Sequence, residues 1–191
     1  MRILRAGDHK RMPWKNGKGE TVEIAVFPPG ASVGDFDWRI SMATVAEDGP
    51  FSVFDGIDRT LSILSGEGLE LFVEGREPVA LRQDTVPHAF PADVATSAML
   101  LKDTVTDLNV MTRRGGYAHR VICYSLPQTI ALPSADSDLF VLAPDGCSSS
   151  THNIILEPYD ALLMTGEQEA IHLEPSGADP RLFVIIIRTQ A

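Results

Sequence analysis

Cysteine is scarce in this 191-residue chain: Cys123 and Cys147 are the only two, far apart and in no CxxC arrangement. That excludes a disulfide framework and a cysteine-based metal motif, and leaves reduced, buried thiols as the expectation. Long apolar runs are missing too. No stretch approaches the ~18 apolar residues of a membrane span, and the opening MRILRAGDHKRMPW lacks the unbroken apolar core of a signal peptide. A cytoplasmic protein with no membrane partner is expected. Positive charge is in deficit, with 16 Lys and Arg against 26 Asp and Glu for a net charge of −10. The average surface repels phosphate backbones, so no nucleic-acid partner is expected either. Finally, His9, His88, His119, His152 and His172 stand in no HxH or HxxxH spacing, and Ser41, Ser52 and Cys123 lack a nucleophile-elbow context. Neither a metal or other cofactor nor a nucleophilic triad is expected.

The cations that are present are unevenly placed. Fourteen of the sixteen lie in residues 1–120, leaving Arg181 and Arg188 beyond, where nine acids face them. An anion site in this acidic chain therefore belongs to the first 120 residues.

Glycine (15) and proline (13) are spread along the chain and punctuate short, β-rich apolar segments. Residues 21–27 and 37–45 alternate as half-buried strands, the latter setting Trp38, Ile40 and Met42 against Arg39, Ser41 and Ala43. Segments 59–65 and 68–73 flank Gly66-Glu67 and read as a tight hairpin. Further strands are expected at 98–102, 107–112, 117–125, 139–143, 153–156, 161–165, 170–173 and 182–189, with helix confined to a turn near 45–49. The pattern is that of an all-β barrel or sandwich. A faint echo runs through it: Leu61-Ser-Ile-Leu-Ser-Gly66 followed by Leu81-Arg-Gln-Asp84 resembles Leu139-Phe-Val-Leu-Ala143 followed by Leu156-Glu-Pro-Tyr-Asp160. A barrel duplicated within one chain explains both the echo and the length.

Three segments carry the chemistry. Trp14-Lys-Asn-Gly-Lys-Gly-Glu-Thr21 lacks P-loop spacing but offers backbone N–H groups beside Lys15, Asn16 and Lys18, a setting for a carboxylate or a solvated basic loop. Arg59 stands early in an expected central strand, where burial requires an acid such as Asp55 or Asp58, or a bound anion. Strand alternation puts Asp107, Asn109, Met111 and Arg113 on one face, a plausible pocket wall or a wet edge. Arg113 or Arg114 there can clamp a carboxylate bidentately.

In order along residues 1–120, Trp14-Lys-Asn-Gly17, Thr21, Glu23, Trp38-Arg-Ile-Ser41, Gly49-Pro-Phe-Ser-Val-Phe-Asp-Gly56, Asp58-Arg59, Leu64-Ser-Gly66, Asp107-Leu-Asn-Val-Met111 and Arg113-Arg114 resemble the HutD/Ves family. The resemblance implies a bicupin, two jelly-roll cupin barrels in one chain. Residues 1–120 would form the ligand-bearing barrel and 121–191 an acidic, structural one, with the first strands free to swap into the other barrel. It also implies an association with histidine catabolism and a pocket ligand such as N-formylglutamate, but no established catalytic activity. Metal cupins carry H-x-H and then Glu before the V-L-x-G hairpin; the Glu position here is Arg59, so a cation is repelled and a carboxylate favoured. The family's first loop usually reads W-K-N-G-G-G-x-T, whereas Lys18 replaces the middle glycine here.

The leading expectation is a small anionic metabolite, N-formylglutamate or a related acid, bound without metal. Arg59 and Arg113 would meet its carboxylates, Lys15 and Asn16 would close over it, and Arg39, Ser41, Asn109 and Met111 would line the site, with Glu23 orienting a cation. A metal-independent cupin enzyme using Glu23 or Asp107 as base, and a protein-interaction module working through the acidic C-terminal part, stay open beside it. The apolar run 182–187 fits either a strand buried on both faces or a homodimer contact.

Overall fold

The computed structural model describes residues 1–14, 17, 19–125, 128–130, 137–166, 170–176 and 180–190. Among them the only helix is one 3-10 turn at Ala6–Asp8, and none is long and apolar enough to cross a membrane. The chain forms two compact units, Lys10–Ala118 and Met1–His9 with His119–Ala191. Residues 1–9 supply β1 (Arg2–Leu4). Next come β2 (Lys10–Pro13), β3 (Gly19–Phe27), β4 (Trp38–Val45), β5 (Gly49–Pro50), β6 (Ile57–Ser65), β7 (Leu69–Val73), β8 (Val79–Leu81), β9 (His88–Pro91), β10 (Thr96–Leu100) and β11 (Val105–Arg113). Last are β12 (Tyr117–Ser125), β13 (Gln128–Ile130), β14 (Ser137–Ala143), β15 (Cys147–Ser149), β16 (Ile154–Leu156), β17 (Asp160–Thr165), β18 (Ile171–Pro175) and β19 (Arg181–Thr189).

In the unit Lys10–Ala118, a six-stranded sheet β2-β3-β4-β11-β6-β9 and a four-stranded sheet β5-β10-β7-β8 share one core. Leu61 and Ile63 of β6, Phe90 of β9 and Val105 of β11 meet Leu69, Leu71 and Val73 of β7, Leu81 of β8 and Ala98 of β10. The period-2 pattern does this work: in β7 the three apolar residues at i, i+2 and i+4 are buried while Glu70 and Phe72 are half-buried. A second cluster of Phe36, Ile57, Ala92 and Met111 fills the end of the same unit.

The other unit pairs β1-β17-β14-β19-β12 with β13-β18-β15-β16. Adding eight to each label of β4-β11-β6-β9 and of β5-β10-β7-β8 yields β12-β19-β14-β17 and β13-β18-β15-β16, the same two orders. The echo in the sequence is thus matched by a repeated strand order. None of the four sheets closes into a barrel. Of the apolar run at 182–187, Leu182 and Val184 join Leu139, Val141, Leu162 and Met164 in the core of this unit, and Phe183, Ile185 and Ile187 on the alternate face are buried as well. Residues 1–9 join this unit because β1 pairs with β17 and because buried Asp160 accepts from Arg5 Nη1 at 2.6 Å and from the Ala6 N–H at 2.7 Å.

Two local expectations are corrected. Gly66-Glu67 is not a hairpin turn, because β6 pairs with β11 and β9 whereas β7 pairs with β10 and β8. The glycines carry the chain from one sheet to the other. Gly66 (φ +92) and Gly68 (φ +108) lie so close to neighbouring backbone that a Cβ would stand 2.7 Å from Thr104 O and 2.1 Å from Leu81 O, respectively. Nor is there a helical turn at 45–49. Val45 ends β4 and Gly49–Pro50 pairs with β10, beside Asp48, whose Oδ1 accepts the Leu100 N–H.

This crossing makes a prediction. Gly75 also has positive φ (+77) but open space around it. Gly75→Ala should cost the roughly 1–2 kcal/mol of left-handed backbone strain alone, whereas Gly68→Ala should cost at least about 3 kcal/mol because β8 must move as well. Urea denaturation of both variants measures the difference, and equal losses would contradict the close approach.

Candidate functional site

The inner face of the six-stranded sheet changes character along its length. Beside the apolar core, β3, β4, β11 and β6 present polar side chains in register. Met111 lies opposite Arg39 on β4 and Arg59 on β6, so Arg, Met and Arg form one row across three strands. In the next row Asn109 faces Ser41, which faces Glu23, and beyond it Asp107 faces Ala43, which faces Thr21. With strands about 4.8 Å apart, the two arginine Cα atoms are about 10 Å apart, within reach of one small ligand.

These residues wall a cavity of about 550 Å³ lined by Thr21, Arg39, Ser41, Ala43, Arg59, Asp107, Asn109 and Met111. Met12, Pro13, Trp14, Val33, Val45, Pro50, Phe51, Ser52 and Phe54 complete the lining. Trp14 is fixed by Nε1 donating to Thr21 Oγ1 at 2.8 Å.

Both arginines are buried, Arg39 at 4% and Arg59 at 7% exposure. Arg39 Nε donates to Glu23 Oε2 at 2.8 Å, and Glu23 sits where the register of β3 against β4 shifts. Arg59 takes an amide as its partner: Nε donates to Asn109 Oδ1 at 2.8 Å, and Nη2 donates to the same oxygen. Asn109 Nδ2 in turn donates to Asp107 Oδ1 at 2.6 Å. Because arginine only donates and carboxylate accepts, this chain fixes which way the Asn109 amide points. The Arg59 guanidinium also lies 4.5 Å from the Phe51 ring centroid and 5.6 Å from that of Phe90. Aromatic faces on a cation hold its plane without consuming its donors.

Burial pulls the Arg59 guanidinium down to about 10, opposed by the attraction of Asp107 and reinforced by repulsion from Arg39. It remains a cation at neutral pH. Burial pushes the Asp107 carboxyl up to about 6, against the pull of Arg59 and the hydrogen bonds from Asn109 and the Ala43 backbone. Its Oδ2 is buried without a hydrogen-bond partner among the described residues.

Of the nine residues expected at the site, Arg39, Ser41, Arg59, Asn109 and Met111 line the cavity, and Glu23 holds Arg39 from behind. Lys15 and Asn16, with Lys18, lie outside the described residues. Arg113 is directed elsewhere: its Nη2 donates to Phe36 O at 2.7 Å and its Nε lies 3.6 Å from Asp37 Oδ1. Arg114 is exposed, paired with Asp58 and Asp93 at 2.8 Å each. Arg113 is the last residue of β11, paired with Ile57 one step beyond the Arg39-Met111-Arg59 row, and its guanidinium is taken up there by Phe36 O and Asp37. Asp58 is therefore not the partner of Arg59, from which it points to the opposite side of β6.

Asp107 and Phe51 belong to the site but not to those nine. Asp107 had a signal, being two residues before Asn109 on the same strand face. Phe51 stands in an irregular segment, where no periodicity reports which way a ring points.

The model of the HutD family matches residues 6–182. An uncharacterised 21.2 kDa protein from the hutC 3′ region of Pseudomonas putida is 33% identical over 185 residues, 93% of each chain. Protein Ves of Citrobacter koseri is 41% identical over 113 residues, 56% of each chain. Among solved structures, a conserved protein of unknown function from Pseudomonas aeruginosa PAO1 superposes with a TM-score of 0.84 at 31% identity, covering 98% of both chains. HutD from Pseudomonas fluorescens SBW25 (formate condition) superposes at 0.79 and 28% identity, covering 100% of this chain and 99% of that one. A cupin 2 conserved barrel domain protein from Leptotrichia buccalis, at 0.55 and 11% identity over 94% and 96% of the two chains, shares the fold alone.

The buried carboxyl sets a pH dependence. An unfolded aspartate titrates near 3.9, whereas folded Asp107 titrates at about 6. The folded state thus holds the proton more tightly, so the contribution to stability is full below about pH 4 and is lost as pH rises through 6. Asp107→Asn removes this titration. The unfolding free energy of the native protein minus that of the variant should fall by roughly 2–3 kcal/mol between pH 4 and 7. Denaturant titrations across that range test it, and a difference independent of pH would contradict the assignment.

Proposed function

Because the chain belongs to the HutD family, we propose that it is a carboxylate-binding bicupin serving histidine utilisation as a sensor or sequestering protein for a small acid. The repeated strand order supports the two-cupin reading, and a relative from the hutC 3′ region supports the metabolic context. The observation that carries the proposal is the Arg39-Met111-Arg59 row. Two guanidinium groups are buried on one face of a cavity, Arg59 with an amide rather than an acid as its direct partner. A desolvated cation with remaining donors and no direct counter-ion is an arrangement that a bound carboxylate completes. The same row disfavours a divalent cation.

The ligand would approach between the Trp14 side and the Phe51 segment. Its carboxylate would meet the guanidinium donors that Asn109 and Glu23 leave unused. Met111 between the arginines keeps the floor apolar, suiting a short carbon chain rather than a second ionic group at that point. N-formylglutamate is the ligand that family membership favours.

A second reading rests on one specific observation. A buried carboxyl titrating at about 6 is suited to general-base work near neutral pH, and Asp107 lines the cavity. Glu23 is less suited, being committed to Arg39. Product formation on incubation with the same acids is what would favour this reading over binding alone.

A thermal-shift series with N-formylglutamate, glutamate, urocanate, imidazolone propionate and formate tests the proposal. A ligand present at 100 times its Kd should add ~2.7 kcal/mol of stability. At least one acid should raise the Tm of the native protein and leave that of Arg59→Met unchanged. No shift with any of the acids, or an undiminished shift in Arg59→Met, would refute the carboxylate site.

A further inference from the structure

The arginines account for one end of a ligand; Asp107 accounts for the other. It lies two residues along β11 from Asn109, on the cavity face, at 1% exposure. Oδ1 is taken by Asn109 Nδ2, while Oδ2 has no partner among the described residues. A buried carboxylate oxygen left without a donor is costly, and no side chain among the described residues supplies one. Of its strand neighbours, Ala43 and Ile63 have no side-chain donor, Asn109 spends Nδ2 on Oδ1, and the Ala43 backbone contact to the carboxyl leaves Oδ2 without a hydrogen bond.

We propose that the ligand of this cavity is a carboxylic acid that also carries an N–H donor, and that Asp107 Oδ2 is the acceptor that recognises that donor. The proposal rests on the carboxylate reading of the site and adds a class restriction to it: an N-acylated or free amino acid is accepted, a plain dicarboxylate poorly. Asp107 is then a specificity residue, and the Arg59-Asn109-Asp107 chain couples the two ends of the ligand. Arg59 takes the acid and Asp107 takes the N–H, while Asn109 holds both at a set spacing. Among the described residues, the charged groups on this face beside Asp107 are Arg59 on β6, Arg39 on β4 and Glu23 on β3. Glu23 is bonded to Arg39, so Asp107 is the acidic group available to a donor.

The locked amide makes one substitution unusually informative. In Asp107→Asn, the new side chain must turn its oxygen toward Asn109 Nδ2, which places its own NH2 where Oδ2 was. An acceptor becomes a donor at constant size.

The test is calorimetric titration of the full chain with N-formylglutamate, glutamate, glutarate and 2-formyloxyglutarate, the last carrying an ester oxygen in place of the N–H. The native protein should bind N-formylglutamate, glutamate or both about 10- to 100-fold more tightly than the two acids without a donor. Which of the two nitrogen compounds is preferred separates an amide N–H from an ammonium. The preference should shrink as pH is lowered through about 6, where Asp107 takes up its proton, and should vanish in Asp107→Asn while glutarate still binds. Equal affinity for all four acids would overturn the role of Asp107 and leave the carboxylate site standing. A preference that survives in Asp107→Asn would do the same. Binding by none would overturn both. Should the variant fail to fold, the native protein's ester comparison and pH profile decide alone.

Discussion

Two arginines on one buried sheet face are the constraint around which this site is organised. Arg39 and Arg59 project from the strands on either side of β11, with only Met111 between them in register. Like charges removed from water are tolerated only where counter-charges or acceptors surround them. The neighbouring residues meet that demand in two different ways. Glu23 neutralises Arg39 directly from the adjacent strand. Arg59 is satisfied at one remove, its donors on the neutral Asn109 amide, whose other end reaches Asp107. Phe51 and Phe90 complete the enclosure with ring faces. The indirect arrangement keeps Arg59 charged and oriented without capping it by a carboxylate, and the proposed preference for acids rests on that asymmetry between the two arginines.

The repeated strand order sharpens the point. Leu61 on β6 faces Asn109, and its counterpart in the sequence echo, Leu139 on β14, faces Ile186. Two residues earlier, where β6 has Arg59, β14 has Ser137; opposite the position matching Ile63, β19 has Val184 where β11 has Asp107. In the second repeat the polar chain is replaced by packing, with Val184 in a continuous apolar core. The first repeat has a polar-lined cavity where the second, among the described residues, has apolar packing. The uneven distribution of cations along the chain is the outward sign of this division.

Most strands were legible because period-2 alternation is strong wherever one sheet face is buried, as in 21–27, 37–45 and 107–112. The pocket face of β4 and β11 followed from the same alternation, which correctly grouped Arg39 with Ser41 and Asn109 with Met111. What alternation cannot report is pairing. Gly66-Glu67 reads as a hairpin turn because a tight turn and a crossing between sheets use the same residues, and only the close approach of Gly66 to Thr104 and of Gly68 to Leu81 distinguishes them. Arg113 does not reach the cavity because, at the end of β11, its guanidinium is held by Phe36 O and Asp37, residues of a distant loop that no strand period reports. Asp58, one of the acids the sequence offers to Arg59, pairs instead with Arg114, which lies 56 residues away and is linked to it by no local pattern. The short strands β1, β2, β5, β8, β9, β13 and β15 have no strand signal in the sequence because two to four residues are too few to show a period.

The carboxylate site is the central claim, and the electron density of a crystal grown with a small acid tests it most directly. The account predicts a carboxylate in the cavity of the Lys10–Ala118 unit, with oxygen atoms about 3 Å from guanidinium nitrogens of Arg59. Ordered water alone in that cavity, or the acid bound elsewhere while Arg59 keeps only Asn109, would contradict it.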